Sequence, residues 1–427
     1  MIRDRSDKGK RRRSLSNVGG KVDVVGGTEP ERRTIEHALS VGADERSTYA
    51  HVHGFHAYPA RMHPVTARRL VEGLSEPDGL VLDPFCGSGT VLVEAMLLGR
   101  QAWGLDINPL AVKLSWLKAR SWTADERQRV LHAKNRVVAF ADERRRRRAG
   151  ATRRYGREDT TLFDPHVLLE LDGLQAAIAK IPDDGARQAL YVVLSSILTK
   201  VSRKPGDTAD IETAASRPPK RLAAGFAIRL FSAKTEELLR RLSEKESLLG
   251  SRRHDPVVLQ GDARSLDGVP ERHFDLVVTS PPYAGNYDYL SHHAARLRWL
   301  GMDAEPLAKN EIGARRHLEA LPPAQAISRW ERDFGASLSA VSRVLKPSGA
   351  ITLLVADSVV AGRVCRADET VRGLASRAGL AVVAVGSQPR PHFHRSTARA
   401  FANRPRKEHV ILLRHSGTPL TASTKAP

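Results

Sequence analysis

The sequence predicts an α/β domain with a mostly parallel sheet and a large, mainly helical insertion. A strand at 80–84, a glycine-rich turn, a helix at 90–99 and a strand at 101–105 form a β-α-β unit. Such a unit implies parallel strands joined by a right-handed crossover. From about 110 to 255, apolar residues recur with helical spacing and strand signals are nearly absent. Strands return from 256 onward in "PVVLQGDARSL", "HFDLVVTSPPY" and "VLKPSGAITLLVADS".

The strand-forming segments fall in two blocks, 34–109 and 256–415, and neither block has enough strands to form a closed domain alone. We therefore predict one catalytic domain interrupted by the insertion. Within it, "HPVTARRLVEGL" predicts a helix with Pro64 near its start. "GLAVVAVGSQPR" and "EHVILLRHS" predict an antiparallel closing pair of strands. Residues 1–33 are basic and are predicted to be a disordered tail, and 416–427 a frayed one.

Composition narrows the class of protein. The chain has 427 residues, a formal net charge of +20 and a sequence pI of about 10.4, which favours polyanionic partners. Its two cysteines, Cys86 and Cys365, exclude a disulfide framework and fit a reducing compartment. The first residues lack the apolar stretch of a secretory signal, and no run of about 18 apolar residues predicts a membrane span. We expect a cytoplasmic protein.

The stretch "DLVVTSPPY" ends a buried strand abruptly at Ser280, Pro281, Pro282 and Tyr283. Neither proline can donate a ladder hydrogen bond, and each fixes its own φ. In open α/β sheets, ligands bind beyond the carboxyl ends of the strands. The tetrapeptide is therefore a candidate site.

A second candidate site is "LDPFCGSGT", between the first strand and helix of the β-α-β unit. Gly87 and Gly89 allow a sharp turn close to a ligand, and the helix N-terminus offers free N–H groups. The pattern is neither G-x-G-x-x-G nor a P-loop. Asp106 ends the next strand, where a carboxylate can accept hydrogen bonds from ribose hydroxyls. Taken alone, Asp106 would be a simple helix cap.

Together, "DPFCGSGT" and "TSPPY" resemble the S-adenosylmethionine-dependent amino-methylating DNA methyltransferases, which act on adenine N6 or cytosine N4. The resemblance covers most of 50–110 and 256–360, and includes "FHAYPARMHPVTARRLVEGL", similar to the family segment that covers the methionine moiety. It implies a Rossmann-like class I methyltransferase fold with a seven-stranded sheet. The implied S-adenosyl-L-methionine residues are Asp83, Pro84, Phe85, Gly87, Gly89, Thr90, Asp106, Asn108, Asp262 and Ala263. The implied catalytic residues are Ser280, Pro281, Pro282 and Tyr283.

The tetrapeptide suits methylation of an exocyclic amine. The amine lone pair is conjugated with the base, and acceptors at its two N–H groups help the nitrogen to pyramidalise. The Ser280 side chain and the Pro281 carbonyl are the candidate acceptors, and Tyr283 can stack on a flipped base. Neither a metal nor a covalent intermediate is needed. Within the family, Ser at 280 favours cytosine N4 over adenine N6.

Two other functions remain open. An RNA guanosine-N2 methyltransferase has similar loops, but only about 50 residues precede the fold here, too few for its usual RNA-binding module. A DNA-binding protein with an inactive methyltransferase fold would not need the intact motifs. A cytosine-C5 methyltransferase is disfavoured, because it needs a Pro-Cys nucleophile and Pro282 is followed by Tyr283.

The insertion is the candidate target-recognition region, and double-stranded DNA is the expected partner. Its basic residues are Arg144 to Arg148, Arg153, Arg154, Arg157, Arg203, Lys204, Lys220 and Arg221, and the tail adds the run at 8–13. Helical spacing puts Arg296, Arg298 and Trp299 near one another, on a helix that could contact DNA. The alternative is a packed helix with Leu297, Trp299 and Leu300 inward. His51, His53, His56 and His63 are not expected to bind zinc, since no clustered carboxylate is visible. No nuclease signature is evident, so cleavage would need a separate restriction or defence partner.

Overall fold

The computed structural model describes residues 20–41, 45–203, 221–250, 254–360, 362–390 and 399–417. Its strands are β1 (Asp23–Gly26), β2 (Leu80–Asp83), β3 (Gln101–Asp106), β4 (Val257–Gln260), β5 (Phe274–Thr279), β6 (Leu345–Ala356), β7 (Ser358–Val360), β8 (Arg363–Cys365), β9 (Leu380–Pro389) and β10 (Lys407–His415). β7 and β8 form a separate small hairpin.

The remaining strands form one sheet in the order β1-β9-β10-β6-β5-β2-β3-β4. Five neighbouring strands of this sheet are parallel to one another: β6, β5, β2, β3 and β4. β10 is antiparallel to both β6 and β9. The predicted α/β class, the β-α-β unit and the antiparallel closing pair are confirmed. The sheet has eight strands rather than seven, because β1 adds an antiparallel edge to β9.

The helices are α1 (Glu29–Leu39), α2 (Glu45–Thr48), α3 (Pro64–Leu74), α4 (Thr90–Leu97), α5 (Pro109–Ala119), α6 (Ala124–Arg146), α7 (Arg157–Leu162), α8 (Pro165–Ile178), α9 (Asp184–Val201), α10 (Phe226–Leu249), α11 (Tyr289–Trp299), α12 (Glu305–Asn310), α13 (Arg315–Leu318), α14 (Pro323–Val344) and α15 (Ala367–Arg377). A 3₁₀ turn covers His51–Gly54. Among the described residues, no helix is long and apolar enough to cross a membrane.

Along the central strands, successive side chains point to opposite faces of the sheet and belong to two hydrophobic cores, one on each face. In β5, Leu276 and Val278 belong to one core, and Phe274 and Val277 to the other. This is the period of two expected for a sheet that is covered on both faces. The first face is covered by α1, α3, α4 and α5, and the second by α14 and α15.

The prediction that residues 1–33 form a disordered tail is wrong for 23–33, and residues 1–19 lie outside the described part of the chain. α1 begins with a capping box, in which the Glu31 carboxylate accepts the Thr28 N–H at 2.7 Å. Ile35 of α1 is fully buried against β9. It lies where Gly386 leaves room, since a Cβ added there would be 2.2 Å from Ile35 Cγ2.

The insertion is helical, as predicted, but it is not a separate unit. α5 packs on β3 and β4, so the insertion proper starts after Ala119 rather than at 110. Buried residues of α6, α8, α9 and α10 continue the core of the first sheet face. The segment 204–220, which holds Lys204 and Lys220, lies outside the described residues.

If α1 is part of the catalytic domain, Ile35→Ala should lower the free energy of unfolding by about 2–5 kcal/mol, because it leaves a cavity under β9. Glu36→Ala, at an exposed position of the same helix, should change it by less than about 0.5 kcal/mol. Urea unfolding followed by circular dichroism measures both. Equal stabilities for the two variants would contradict the packing of α1 on the sheet.

Candidate functional site

The site lies at one edge of the sheet, where the parallel strands end. β2, β3 and β5 deliver Asp83, Asp106 and Ser280 to this edge, and Asp262 follows β4. β10 runs in the opposite direction, so its first residues reach the same edge. Residues far apart in sequence therefore meet around two adjoining pockets.

The first pocket has a volume of about 840 Å³, including space open to solvent, and is lined by most of the predicted cofactor residues. They are Asp83, Pro84, Phe85, Gly87, Thr90, Asp106, Asn108, Asp262 and Ala263. Gly89 lies beneath the loop rather than on the pocket wall, with φ of +79°. A Cβ at Gly89 would sit 2.9 Å from Ser115 Cα, so only glycine fits this position without a shift.

Hydrogen bonds attach the glycine-rich loop to its surroundings. Asp106 Oδ2 accepts the Gly87 N–H at 2.9 Å, and Asp106 Oδ1 accepts the Asn108 N–H at 2.9 Å. Asp83 Oδ1 accepts the Thr279 hydroxyl at 2.6 Å, which joins β2 to β5. Burial raises the pKa of Asp83 to about 7 and that of Asp106 to about 6. In each case hydrogen bonds to the carboxylate oppose the rise.

Two hydroxyls in this loop have no partner. Within the described residues, the Ser88 Oγ and Thr90 Oγ1 atoms are buried and form no hydrogen bond, and both side chains line the pocket. Buried polar groups are rarely left unpaired in a native protein. At the start of α4, these hydroxyls are suited to receive a polar group of a ligand, as are the adjacent free N–H groups of the helix.

Asp262 reaches the pocket, but its carboxylate is already engaged. Arg264 binds it through Nε and a terminal nitrogen, the latter at 2.6 Å. The same guanidinium contacts Asn310 Oδ1 at 3.0 Å and Asp333 at 3.3 Å. The hydrogen bond that Arg264 donates to Asp262 is the main reason that the pKa of Arg264 is raised. Any contact from Asp262 to an adenine would share the carboxylate with Arg264.

Aromatic rings form one wall of the site. The Tyr58 ring stacks on Tyr289, with ring centroids 5.9 Å apart, and on His293, with centroids 5.0 Å apart. The Tyr58 hydroxyl accepts a hydrogen bond from Asn108 Nδ2 at 3.3 Å. Tyr58 belongs to the segment "FHAYPARMHP" that resembles the family's methionine cover. The wall therefore joins this segment to the helix that follows the SPPY tetrapeptide.

The second pocket, of about 610 Å³, contains the tetrapeptide. Ser280 and Pro282 line both pockets, whereas Pro281 and Tyr283 line only the second of the two. Trp330 Nε1 donates to the Pro282 carbonyl at 3.2 Å, which fixes the turn. The Tyr283 hydroxyl donates to the Leu354 carbonyl at 3.4 Å, which orients its ring against β6.

Three charged residues of the closing strands complete the second pocket: Arg390, Arg406 and Glu408. The Arg390 guanidinium donates to the Glu408 carboxylate, and both side chains are buried. Arg406 Nε donates to the Asp357 carbonyl at 2.9 Å. The sequence analysis missed these residues. Finding them requires knowing that β10 is antiparallel and starts at the edge where β5 ends.

Two of the predicted non-ligand histidines lie beside a carboxylate that sequence spacing did not reveal. His53 Nε2 is 2.7 Å from Glu94 Oε1, and donor atoms of His51, His53 and Glu94 lie within 4.8 Å of one another. Burial raises the pKa of Glu94 to about 7 and holds that of His53 well below its usual value. A hydrogen bond explains the pair, and the absence of a metal remains a prediction.

The insertion contacts α11, the helix that follows the SPPY tetrapeptide. Trp299 at the end of α11 is buried, and its Nε1 donates to Asp159 at 2.9 Å. Arg298 pairs with the same carboxylate at 2.8 Å, and Arg296 is buried beside Ser195. Of the two predictions for this helix, inward packing is the correct one for Trp299 and Leu297.

The comparisons with known proteins agree with the motifs. A DNA methylase family model of the N6 and N4 type matches residues 4–117. The type II methyltransferase M.MvaI of Kocuria varians is 26% identical over 276 residues, covering 59% of this chain and 59% of that protein. M.MjaII of Methanocaldococcus jannaschii is 29% identical over 87 residues, 20% of this chain and 16% of that protein.

Over these segments the chain is similar to amino-methylating DNA methyltransferases.

The matches span less than two thirds of either relative. The solved rRNA methyltransferase aviRa from Streptomyces viridochromogenes aligns with 75% of this chain and 85% of its own, at 12% identity and a TM-score of 0.28. The similarity to DNA methyltransferases implies S-adenosylmethionine as the methyl donor. The unpaired hydroxyls of Ser88 and Thr90, and the Asp106 carboxylate, fit the polar groups of this cofactor.

If Asp106 binds the cofactor as predicted, its raised pKa should make the affinity for S-adenosylmethionine sensitive to acid. The ionised carboxylate accepts hydrogen bonds from hydroxyls, and the protonated form accepts fewer. Affinity should thus be full above pH 7 and fall as the pH drops through about 6, by at most about tenfold per pH unit for one proton. Calorimetric titration of S-adenosylmethionine at pH 5 to 8 measures this.

Asp106→Asn is the matched variant, because it removes the titrating group and keeps one acceptor. We expect weaker binding and a shallower pH dependence than for the unchanged protein. Any dependence caused by Asp83 remains in both proteins and cancels in the comparison. Parallel pH profiles would contradict a cofactor role for Asp106.

Proposed function

We propose that this protein transfers a methyl group from S-adenosylmethionine to the exocyclic amine of a flipped base in double-stranded DNA, with cytosine N4 favoured over adenine N6. The observation that carries the proposal is the junction of the two pockets at Ser280 and Pro282. One pocket has the size and polar lining for a nucleoside cofactor, and the other has an aromatic wall and charged groups suited to a base. A methyl group could pass between them without a covalent enzyme intermediate.

The cofactor supplies an electrophilic methyl group on a sulfonium sulfur. The protein's own part is to orient the amine that receives it. The Pro281 carbonyl accepts no hydrogen bond from any described residue, so it is available to an amine N–H. The Ser280 side chain lies at the boundary between the pockets and supplies the second acceptor. Holding the nitrogen in line with carbon and sulfur lowers the barrier by removing orientational freedom.

The remaining roles follow from position. Tyr283, held against β6, stacks on the flipped base. Arg61 and Met62 line both pockets and exclude water from their junction, and Tyr58 lines the first pocket. Arg61 is held in place by the carbonyls of His53 and Thr48, the latter at 3.0 Å. A serine at 280 supports cytosine N4 as the acceptor.

The function is tested by expressing the protein in cells free of other DNA modification and sequencing their DNA with a method that detects modified bases. Digestion to nucleosides and mass spectrometry then identify the base. We expect N4-methylcytosine at one recurring sequence. Unmodified DNA, together with intact cofactor binding, would instead support an inactive DNA-binding protein.

Ser280→Ala and Tyr283→Ala should each lower kcat by at least about 100-fold, a loss comparable to removing one oriented transition-state contact in other enzymes. The dissociation constant for S-adenosylmethionine should stay within twofold of the original. Tyr283→Phe is the matched control: it keeps the ring and removes the hydroxyl, with its hydrogen bonds to Leu354 and Ser280. It should retain most of the activity. A fully active Tyr283→Ala enzyme would exclude stacking.

The end of α6 is the proposed phosphate-binding surface. Arg144 is unsuited to it, because it pairs with the buried Asp172 carboxylate at 3.4 Å. Arg146 and Arg147 are 74% and 76% exposed, and form pairs with Asp142 and Glu143 of their own helix. Such exposed pairs contribute little and can be exchanged for phosphate contacts.

Changing Arg146, Arg147 and Arg148 to Gln should therefore weaken binding about equally on all DNA sequences. It should also flatten the salt dependence of log K by about one unit per lost contact. Fluorescence anisotropy at several salt concentrations measures the slope. Gln at the exposed positions Arg33, Arg240 and Arg372 is a control of equal charge change. Identical slopes for the two triple variants would exclude the end of α6 from the DNA contact.

A further inference from the structure

The second pocket, proposed above to hold the base, is lined by a largely buried arginine that the proposed reaction does not use. Arg406 is 8% exposed and lines the second pocket. Its Nε donates to the Asp357 carbonyl at 2.9 Å. Within the described residues, its two terminal nitrogens form no hydrogen bond or ion pair. These nitrogens are therefore free to donate hydrogen bonds to a ligand in the pocket that Arg406 lines.

The neighbouring charges do not neutralise it. The Glu408 carboxylate in the same pocket is bound by Arg390, so these two side chains form a pair of zero net charge. Arg406 therefore leaves the pocket with an excess positive charge. Tyr283, Tyr287 and Arg406 line the same pocket. Burial raises the pKa of both tyrosines, and the Arg406 charge opposes the rise in both.

The backbone around Arg406 holds it in this position. The Arg390 N–H donates to the Arg406 carbonyl at 2.9 Å, so the end of β9 and the start of β10 are joined at the pocket. The next residue, Lys407, donates its N–H to Asp357 Oδ2 at 3.0 Å. Asp357 therefore accepts hydrogen bonds both from the Arg406 side chain and from the backbone N–H of the next residue. Donors held in this way are preorganised for a ligand.

A guanidinium presents parallel N–H donors, and it pairs best with two adjacent acceptors in one plane. On the edge of cytosine that contains the exocyclic amine, N3 and O2 are such a pair. Adenine offers N1 beside its amine and then a C–H group. Guanine offers an N–H donor beside its N2 amine, which would face the guanidinium unfavourably. Cytosine is therefore the base whose acceptors match the pocket when its amine lies at Ser280.

We propose that Arg406 is a specificity-determining residue that recognises N3 and O2 of a flipped cytosine, with the Arg390–Glu408 pair as its positioning support. The proposal rests on the DNA methyltransferase function proposed above and extends it to the choice of base. The same guanidinium could instead contact the phosphate of the target nucleotide. The experiment separates these two uses.

Arg406→Gln is the test variant, because it keeps an N–H donor for the Asp357 carbonyl and removes the pair of parallel donors that a guanidinium presents. Arg406→Lys keeps the charge and cannot satisfy two acceptors at once, so it replaces the first variant if that one unfolds. Arg404→Gln is the matched control, since Arg404 is 52% exposed and binds Glu369. Thermal unfolding and S-adenosylmethionine binding should be unchanged in all proteins used.

Methylation is measured on DNA containing the recognition sequence found by modification-aware sequencing, with products identified by nucleoside mass spectrometry. We expect N4-methylcytosine from the unchanged protein, and kcat/KM lowered about 10- to 100-fold by Arg406→Gln, as for loss of one two-pronged base contact. Arg404→Gln should stay within about twofold. If the unchanged protein yields N6-methyladenine, this proposal fails and the methyltransferase function stands. If it methylates no DNA, both fail.

Binding then distinguishes base from phosphate. Affinities of the unchanged protein and of Arg406→Gln are compared on two duplexes, one intact and one abasic at the target position. Recognition of cytosine predicts that the variant loses affinity for the intact duplex and equals the unchanged protein on the abasic one. Equal losses on the two duplexes would assign Arg406 to the phosphate and overturn the proposal.

Discussion

The hydrogen bond from the Gly87 N–H to Asp106 Oδ2, 2.9 Å long, attaches the glycine-rich loop to the end of the next strand. The Ser115 hydroxyl holds the other side of the loop through the Gly87 carbonyl, also at 2.9 Å. Because Gly89 is in contact with Ser115, the loop cannot move toward α5. The start of α4, its free N–H groups and the shape of the first pocket are all set by this attachment. The carboxylate suited to a cofactor is thus also the one that builds the cofactor loop.

The two blocks of the catalytic domain are joined at the site itself. Thr279, the last residue of β5, donates its hydroxyl to Asp83 at the end of β2, although the helical insertion separates them in sequence. Behind them, the insertion packs on α11 through Asp159 and on the segment at 51–54 through Arg241. The rings of Tyr58 and Tyr289, which meet across the pocket, are therefore each supported by the insertion. A region predicted as a recognition module is also part of the site's scaffold.

Sequence was informative where the signal was local. The β-α-β unit and the tetrapeptide at Ser280 are each specified by a few consecutive residues, and both occur where they were predicted. β1 and α1 were missed because basic composition outweighed a short strand and the capping box at Thr28 and Glu31. Arg406 and Glu408 could not be found, since their place depends on the direction of β10 and not on any motif. Glu94 beside His53 is likewise a contact between distant elements.

The edges of the sheet bear on how the protein behaves at high concentration. β9 is a ten-residue strand, and β1 pairs with it at Ala384 to Ser387. Without β1, these backbone groups would be open to pairing with another chain, the usual starting point for edge-to-edge association. At the opposite edge, β4 is only four residues long and ends at the polar Gln260. β1 therefore covers backbone groups of β9 that would otherwise pair with another chain. Shortened versions of the chain that begin after Gly26 would expose these groups and lose colloidal stability, even with the site intact.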